Sequence, residues 1–190
     1  MLKQTPSQTV GPYFLYGLIP QPYGRRGVAD NRLASPELPG EHIRIEGQVL
    51  DGEGNPIVDA LIEVWQADAE GHYPAEAADG QPRHFAGFGR ADSSAGGLYG
   101  FETVKPGGVA EGQAPHVNVI VYARGMLSHA FTRIYFSDEA QANAADPVLA
   151  LVPEERRNTL IAQRAELPGR TVYRFDIRLQ GEGETVFFDA

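Results

Sequence analysis

Alternation of apolar and polar residues with a period of two is the feature that most constrains this chain. The stretch "HIRIEGQVL" (42–50) places on one face Ile43, Ile45, Gly47 and Val49. The stretch "TVYRFDIRLQ" (171–180) repeats the pattern with Tyr173, Phe175, Ile177 and Leu179. This is the period of a strand with one buried face, because successive side chains point to opposite sides of a sheet. The core is therefore expected to come from half-buried strands.

Short segments of the same kind follow one another along the chain, separated by turn residues. The turn "DGEGNP" (51–56) joins the first strand to "IVDALIEVWQAD" (57–68) and predicts a hairpin. Further strands are predicted at 97–104, 116–124, 129–136 and, as a closing edge strand, 185–190. Residues 137–166 have a helical composition. These segments predict a mainly β protein, an antiparallel β-sandwich with a short helical insertion.

The first 40 residues differ from the rest, since they hold six of the 14 prolines. Proline is excluded from helix interiors and central strands, so an extended N-terminal arm is predicted. The arm is too apolar for a disordered tail and is expected to lie on a surface of this chain or of a partner. A length of 190 residues favours a single domain, with the arm at 1–40 and the sandwich at 41–190.

Composition excludes several classes of function. The chain has 16 Lys and Arg against 25 Asp and Glu, a net charge of −9, which argues against binding nucleic acid or an anionic membrane. The absence of cysteine excludes disulfides, thiolate metal sites and a cysteine nucleophile. The N-terminal stretch lacks the pattern of a signal peptide and no long apolar run is present. A soluble, cytoplasmic protein with a small-molecule or protein partner is expected.

The stretch "APHVN" (114–118) resembles half of a metal site. Residues at i and i+2 of a strand share a face, so His116 and Asn118 point the same way. Asparagine is a poor ligand for a transition metal, and an ordinary structural histidine is the alternative. A second alternative is an unconventional metal site that combines His116 with residues of the long polar loop at 67–96, namely His72, Tyr73 and His84.

Arg133 lies in the predicted strand "HAFTRIYF" (129–136) on the face shared by Phe131 and Tyr135. Its guanidinium is therefore directed among aromatic side chains. One interpretation is a stacked arginine in a buried ion pair. The other is a cation that receives the carboxylate of an aromatic ligand. The spacing alone does not decide between them.

Six stretches together resemble one family over nearly the whole chain. They are "TPSQTVGPYF", "IEVWQADAEGHYP", "FGRADSSAGGLYGFETVKPG", "APHVNV", "TRIYFSDEAQAN" and "YRFDIRLQGEGETVFFD". They resemble the alpha-type chains of the intradiol ring-cleaving dioxygenases, enzymes of aromatic compound catabolism through the β-ketoadipate pathway. The resemblance implies a β-sandwich that pairs with a homologous beta chain in a higher hetero-oligomer.

The resemblance also implies that the beta chain holds Fe3+ through two tyrosines and two histidines. In this sequence the first tyrosine position is Tyr73, whereas the second is Val109. The histidine positions are His116 and Asn118, and an arginine that precedes them in catalytic chains is matched by Gln113. The chain alone is therefore expected to bind no iron and to be inactive.

The role implied for this chain is to complete the active site of the beta chain. The matching substrate-binding residues are Thr9, Gly11, Pro12 and Tyr13 of the arm, together with Arg133. The implied reaction inserts both atoms of O2 into 3,4-dihydroxybenzoate (protocatechuate) and gives 3-carboxy-cis,cis-muconate. The alternative is a scaffold or ligand-binding sandwich without catalytic involvement.

Overall fold

A computed structural model describes residues 3, 5–11, 13–74, 85–109 and 112–189. Two short α-helices are present in these ranges, α1 (Phe14–Leu18) and α2 (Ala140–Ala145). The strands are β1 (His42–Leu50), β2 (Leu61–Gln66), β3 (Phe88–Asp92), β4 (Leu98–Val104), β5 (His116–Tyr122), β6 (Ala130–Phe136), β7 (Ile161–Leu167), β8 (Arg170–Arg174) and β9 (Ile177–Arg178). Three 3-10 helices lie at Gln21–Tyr23, Leu149–Leu151 and Glu154–Leu160.

The strands form two halves that β7 connects. One half has the order β3-β2-β5-β6, and the other has β8-β1-β4 with β9 paired to β1. Most pairs are antiparallel, but β1–β8, β1–β9 and β6–β7 are parallel. Apolar side chains from both halves share one buried cluster, which includes Val119 of β5 and Ile45 of β1. The predicted mainly β sandwich is confirmed, with a mixed rather than purely antiparallel sheet.

The two alternating stretches behave differently. Strand β1 spans the predicted 42–50, and its residues alternate between buried and half-buried. The stretch at 171–180 forms two strands, because the carboxylate of Asp176 replaces a main-chain acceptor and takes the N–H of Gln48 at 2.9 Å. The backbone between β8 and β9 passes very close to β1 at this point. A Cβ on Gly47 would lie 1.7 Å from the carbonyl oxygen of Phe175. Only glycine leaves room for so close an approach.

Four sequence predictions about secondary structure are wrong in detail. The predicted hairpin of 42–50 with 57–68 is reduced to one bridge, between Leu50 and Pro56, because β1 and β2 pair with other strands in different halves of the sheet. Strand β3 lies in the stretch predicted as an irregular loop, and β7 lies at the end of the stretch predicted as helical. The sequences "FGRAD" and "IAQRAEL" have weak strand propensity, and pairing with neighbouring strands overrides it. The predicted edge strand at 185–190 is reduced to one bridge, between Phe188 and Phe131.

The first 40 residues contain more local structure than an extended arm. Helix α1 and a 3-10 turn follow Thr9–Gly11, while Ile19 and Leu33 are buried. Three tyrosines of this segment are exposed: Tyr13, Tyr16 and Tyr23. In the described residues no helix has the length and apolar character needed to cross a membrane.

Candidate functional site

A cavity of about 590 Å³ opens on the outer face of β2, β5 and β6. Three side chains stand side by side across these strands, because Trp65 is paired with Asn118 and Asn118 with Arg133. Their neighbours Val64, Val119 and Ile134 point into the core on the other face. The alternation of each strand therefore places the three side chains in the cavity rather than in the core.

The walls of the cavity are largely aromatic and aliphatic. They include Phe88, Ile120, Phe131, Val148 and Phe188. The acidic side chain at its edge is Glu63, whose carboxylate is 2.6 Å from Nε of Arg90. That ion pair neutralises the acid, so the interior combines apolar walls with the charge of Arg133.

His116 lies on the same side of β5 as Asn118 but is buried, with 2% of its surface exposed. Its Nδ1 is 2.8 Å from the carbonyl oxygen of Ala114. A carbonyl can only accept, so Nδ1 carries the proton and donates it. Burial lowers the pKa of His116, and the nearby charge of Arg133 acts in the same direction. The neutral imidazole is therefore favoured.

Asn118 and Tyr73 converge at the rim of the cavity. The amide Nδ2 of Asn118 donates to the hydroxyl of Tyr73 at 3.2 Å. The Tyr73 ring stacks on Trp65, with ring centroids 5.7 Å apart and an angle of 11° between the planes. Two of the four positions that the resemblance implies for the iron ligands of the beta chain are thus in direct contact.

The loops that carry Tyr73 and Val109 are also held together. The N–H of Gly107 donates to the carbonyl of Asp68 at 2.8 Å. Gly71 has a positive φ of 84°, and a Cβ there would lie 2.1 Å from the Gly108 carbonyl oxygen. This backbone framework therefore holds the segments that carry Tyr73 and Val109 together.

The side chains on that framework do not fit ferric iron. Val109 has no donor atom, and the Asn118 amide directs an N–H toward Tyr73. Within the described ranges there is no cluster of three or more His, Asp or Glu side chains suited to a metal ion. The side chain of His72 is 73% exposed beside Asp68 and Glu70. The fourth residue of the alternative site, His84, lies outside the described residues.

Arg133 is half-buried, and its hydrogen bonds to described residues go to neutral side chains. Its Nη1 donates to Oε1 of Gln113 at 2.9 Å and lies 3.5 Å from the Tyr135 hydroxyl. No carboxylate oxygen in the described part of the chain lies within 4.0 Å of its nitrogens. Among the described residues the guanidinium therefore lines the cavity without a direct ion pair.

Asp146 stabilises the segments around His116 and Arg133, and the sequence predictions did not include it. Its buried carboxylate accepts the N–H of Ala114 at 2.8 Å and the hydroxyl of Tyr135 at 3.1 Å. It also accepts the N–H groups of Val148 and Leu149. Burial raises the pKa of Tyr135 to about 12, so its hydroxyl remains a donor. The acceptance of these two N–H groups by Asp146 forms a turn, and the dipeptide Asp146-Pro147 was its signal in the sequence.

The arm residues lie away from the cavity. The hydroxyl of Thr9 accepts the N–H of Gly125 at 2.7 Å, at the turn between β5 and β6. Arg133 is three residues further along β6 than its first residue, Ala130, or about 10 Å. Gly11 is exposed and Tyr13 is 77% exposed, while Pro12 lies outside the described residues. Within one chain the structure therefore does not bring the arm and Arg133 into one site.

Comparison with known proteins gives the family. A family model described as "Dioxygenase" matches residues 10–181. The protocatechuate 3,4-dioxygenase alpha chain of Burkholderia cepacia is 55% identical, covering 99% of this chain and 98% of the relative. The alpha chain of Pseudomonas putida is 52% identical, covering 100% and 98%. The beta chain of the Burkholderia enzyme is 34% identical, covering 82% and 71%.

Solved structures agree on the fold. The dioxygenase domain of a carbohydrate-binding fusion protein from Streptomyces sp. SirexAA-E aligns with a TM-score of 0.63 and 23% identity, covering 94% of this chain and 99% of that one. An intradiol ring-cleavage dioxygenase from Tetranychus urticae aligns with a TM-score of 0.62 and 19% identity, covering 97% and 100%. The likeness to alpha chains extends over the full length and agrees with this fold. The chain therefore belongs to the intradiol ring-cleaving dioxygenase family of oxidoreductases.

Proposed function

We propose that this chain is the alpha subunit of a protocatechuate 3,4-dioxygenase and completes the active site of a homologous beta chain that holds Fe3+. The assembled enzyme would cleave 3,4-dihydroxybenzoate with O2 between its two hydroxyl-bearing carbons, giving 3-carboxy-cis,cis-muconate. The supporting observation is the combination of the family's fold with Val109 and Asn118 at two of the family's four ligand positions. A chain with that combination depends on a partner for the metal.

The arm is proposed to form part of the wall of the partner's pocket. Thr9 anchors it to the turn after β5, and Gly11 and Tyr13 beyond it are exposed. Tyr13, 77% exposed, packs against the ring of Tyr16 at a centroid distance of 5.8 Å, so this ring braces it on one side. Glycine at position 11 allows close approach to a flat ring, since it has no side chain and a Cβ there would meet no described atom within 4 Å. An exposed aromatic side chain on a braced segment is suited to an interface.

Arg133 is proposed to contribute electrostatic attraction rather than direct contact at the partner's metal. It is a half-buried cation in a chain of net charge −9, and among the described residues its hydrogen bonds go to neutral side chains. A cation in such a cavity favours the approach of the substrate's carboxylate. The metal itself, when bound by the partner, supplies a Lewis acid and a template. The groups of this chain then orient the ring and restrict its surroundings.

The test is steady-state kinetics of the heteromer co-purified with the iron-bearing chain. Tyr13→Ala and Gly11→Val should each raise the KM for 3,4-dihydroxybenzoate, about tenfold for the loss of a buried aromatic contact. The iron content per beta chain should stay unchanged. Val28→Ala is the control, because Val28 is an apolar side chain of the first 40 residues that is 91% exposed and lies beyond α1.

Two results would contradict the proposal. If both arm variants behave like Val28→Ala, the chain is a scaffold without catalytic involvement. If the chain purified alone binds one Fe3+ with tyrosinate-to-iron absorption and cleaves the ring, it is an autonomous enzyme. Ring cleavage that appears only when both chains are present, and that depends on the arm, is the expected outcome.

A further inference from the structure

The start of the arm is attached to the sandwich at one small site. Among its described residues up to Gly11, Val10 is half-buried and the others are exposed. Within the same residues one hydrogen bond reaches the sandwich, from the N–H of Gly125 to the hydroxyl of Thr9 at 2.7 Å. The position of this part of the arm therefore depends on that bond and on the apolar surroundings of Val10.

These apolar surroundings form a cavity of about 200 Å³ between the arm and the turn that joins β5 to β6. Its volume is below that of ligand pockets, roughly 300–1,000 Å³, so it is suited to packing of the arm rather than to a ligand. The arm contributes Gln8 and Val10, and the end of β5 with the turn contributes Tyr122, Ala123, Met126, Leu127, Ser128 and His129.

Met126 links this cavity to the core. Its side chain is half-buried and packs against the main apolar cluster. Its N–H donates to the carbonyl of Ala123 at 3.3 Å and closes the turn. Gly125 precedes it with a φ of 91°, a left-handed conformation that favours glycine. The turn therefore fixes both the Met126 side chain and the N–H that holds Thr9, so a change in the packing of Met126 reaches the anchor of the arm.

Met126 is also a reactive group. The chain has two methionines and no cysteine, so this thioether is one of its two sulfur atoms. A hydroperoxide oxidises a thioether by transferring one oxygen atom: the O–O bond breaks, an S–O bond forms, and the peroxide is reduced to water or an alcohol. The sulfoxide is polar and chiral, and it disrupts apolar packing. Because Met126 is half-buried and lines a cavity, a molecule as small as H2O2 can reach its sulfur.

From these observations we propose that Met126 is an oxidative modification site whose sulfoxide releases the arm from the β5–β6 turn. The oxidant is a hydroperoxide, and a methionine sulfoxide reductase reverses the change. Release itself depends only on contacts within this chain. Its consequence for the substrate rests on the proposed function, because release moves Gly11 and Tyr13 away from the pocket of the partner.

The experiment treats the co-purified heteromer with H2O2 and follows it by peptide mass spectrometry and amide hydrogen exchange. Met126 should gain one oxygen atom. Exchange at the Gly125 amide should become about fivefold faster or more, because Thr9 no longer accepts its N–H. Exchange in β1 should stay unchanged. Methionine sulfoxide reductases for both epimers should restore the slower exchange, and the KM for 3,4-dihydroxybenzoate should rise and recover in parallel.

Variants assign the effect to this residue. Met126→Leu has a similar volume but no sulfur, so the treated variant should keep the slower exchange. Met126→Gln without oxidant introduces a polar side chain and should reproduce the faster exchange. Leu151→Gln is the matched control for that change, since Leu151 is 80% exposed in the 3-10 segment and outside the cavity. It should leave exchange at Gly125 unchanged.

Three results would overturn the proposal. One is a Met126 that stays unmodified at peroxide concentrations that oxidise free methionine in the same solution. Another is a sulfoxide at Met126 with unchanged exchange at Gly125. The third is equally accelerated exchange in treated Met126→Leu, which would assign the effect to another group. The first two use the unmodified sequence, so they do not depend on how a variant folds. Faster exchange at Gly125 with an unchanged KM would support this site and contradict the role of the arm in the proposed function, so the two failures are distinguishable.

Discussion

Replacement of Asp146 by alanine should destabilise the protein and loosen the base of the cavity. Three donors that it satisfies are buried: the N–H groups of Ala114 and Leu149, which are 2% and 3% exposed, and the hydroxyl of Tyr135. Each buried donor left without an acceptor costs about 1–3 kcal/mol. Because the donors share one acceptor and can relax together, we expect a total of about 3–5 kcal/mol.

Asp51→Ala is the matched control. Asp51 also accepts main-chain N–H groups in a turn, from Glu53 and Asn55 at 2.9 and 2.8 Å. Those donors are exposed, so water replaces the lost acceptor and the expected cost is about 1 kcal/mol or less. The comparison separates the loss of hydrogen bonds from the burial of unsatisfied donors.

The assay combines thermal unfolding of the purified heteromer with amide hydrogen exchange. For a chain of this size, 3–5 kcal/mol corresponds to about 6–20 °C in the unfolding temperature of the alpha chain. Protection should be lost at the amides of Ala114 and Leu149 before it is lost in β1. A melting temperature within about 2 °C of the unmodified protein, with unchanged protection at both amides, would refute the argument that Asp146 holds these elements.

Three further predictions follow from single residues. Gly47→Ala should lower the free energy of unfolding in urea by about 3 kcal/mol or more, because its Cβ would overlap a carbonyl oxygen. Gly17→Ala is the control: a Cβ there meets no described atom within 4 Å, so this change should be neutral or slightly stabilising. His116→Gln should flatten the fall in melting temperature between pH 7 and pH 5. Burial lowers the pKa of His116 in the folded protein below its usual 6.5. The unfolded chain therefore binds the extra proton more readily, and stability is lost as the pH falls from about 6.5 through the folded pKa. An equal dependence of the melting temperature on pH in the variant and the unmodified protein would exclude this contribution of His116. Arg133→Gln should lower kcat/KM about twofold or less at low salt, because a charge that acts through water attracts only weakly, and the loss should be smaller in 0.5 M salt. The same loss in Arg26→Gln, an exposed arginine, would show only an effect of net charge.

The fold was largely predictable because its strands carry a local signal. The alternation at 42–50 depends only on the order of residues in one strand, and the structure reproduces those bounds. Strands β3 and β7 were missed because their residues do not prefer a strand, and their conformation comes from pairing with β2, β6 and β8. Long-range pairing of this kind leaves no trace in a single sequence window.

The candidate site was predictable in part for the same reason. The common face of His116 and Asn118, and the direction of Arg133 toward aromatic residues, follow from the period of one strand. The support from Asp146 was missed, because its donors Ala114 and Tyr135 are 32 and 11 residues away in the chain. Contacts across such distances depend on how β5, β6 and the helical segment pack.

The sequence by itself determined the class of fold, the residue types at the ligand positions and the family, since these depend on local period and on the identity of residues along the chain. Only the tertiary structure decided that Arg133 donates to Gln113 and that Asn118 donates to Tyr73. It also decided that an aromatic cavity opens beside them. Charge compensation and cavity shape are set by side chains from separate strands, and they exist only when the sheet has assembled.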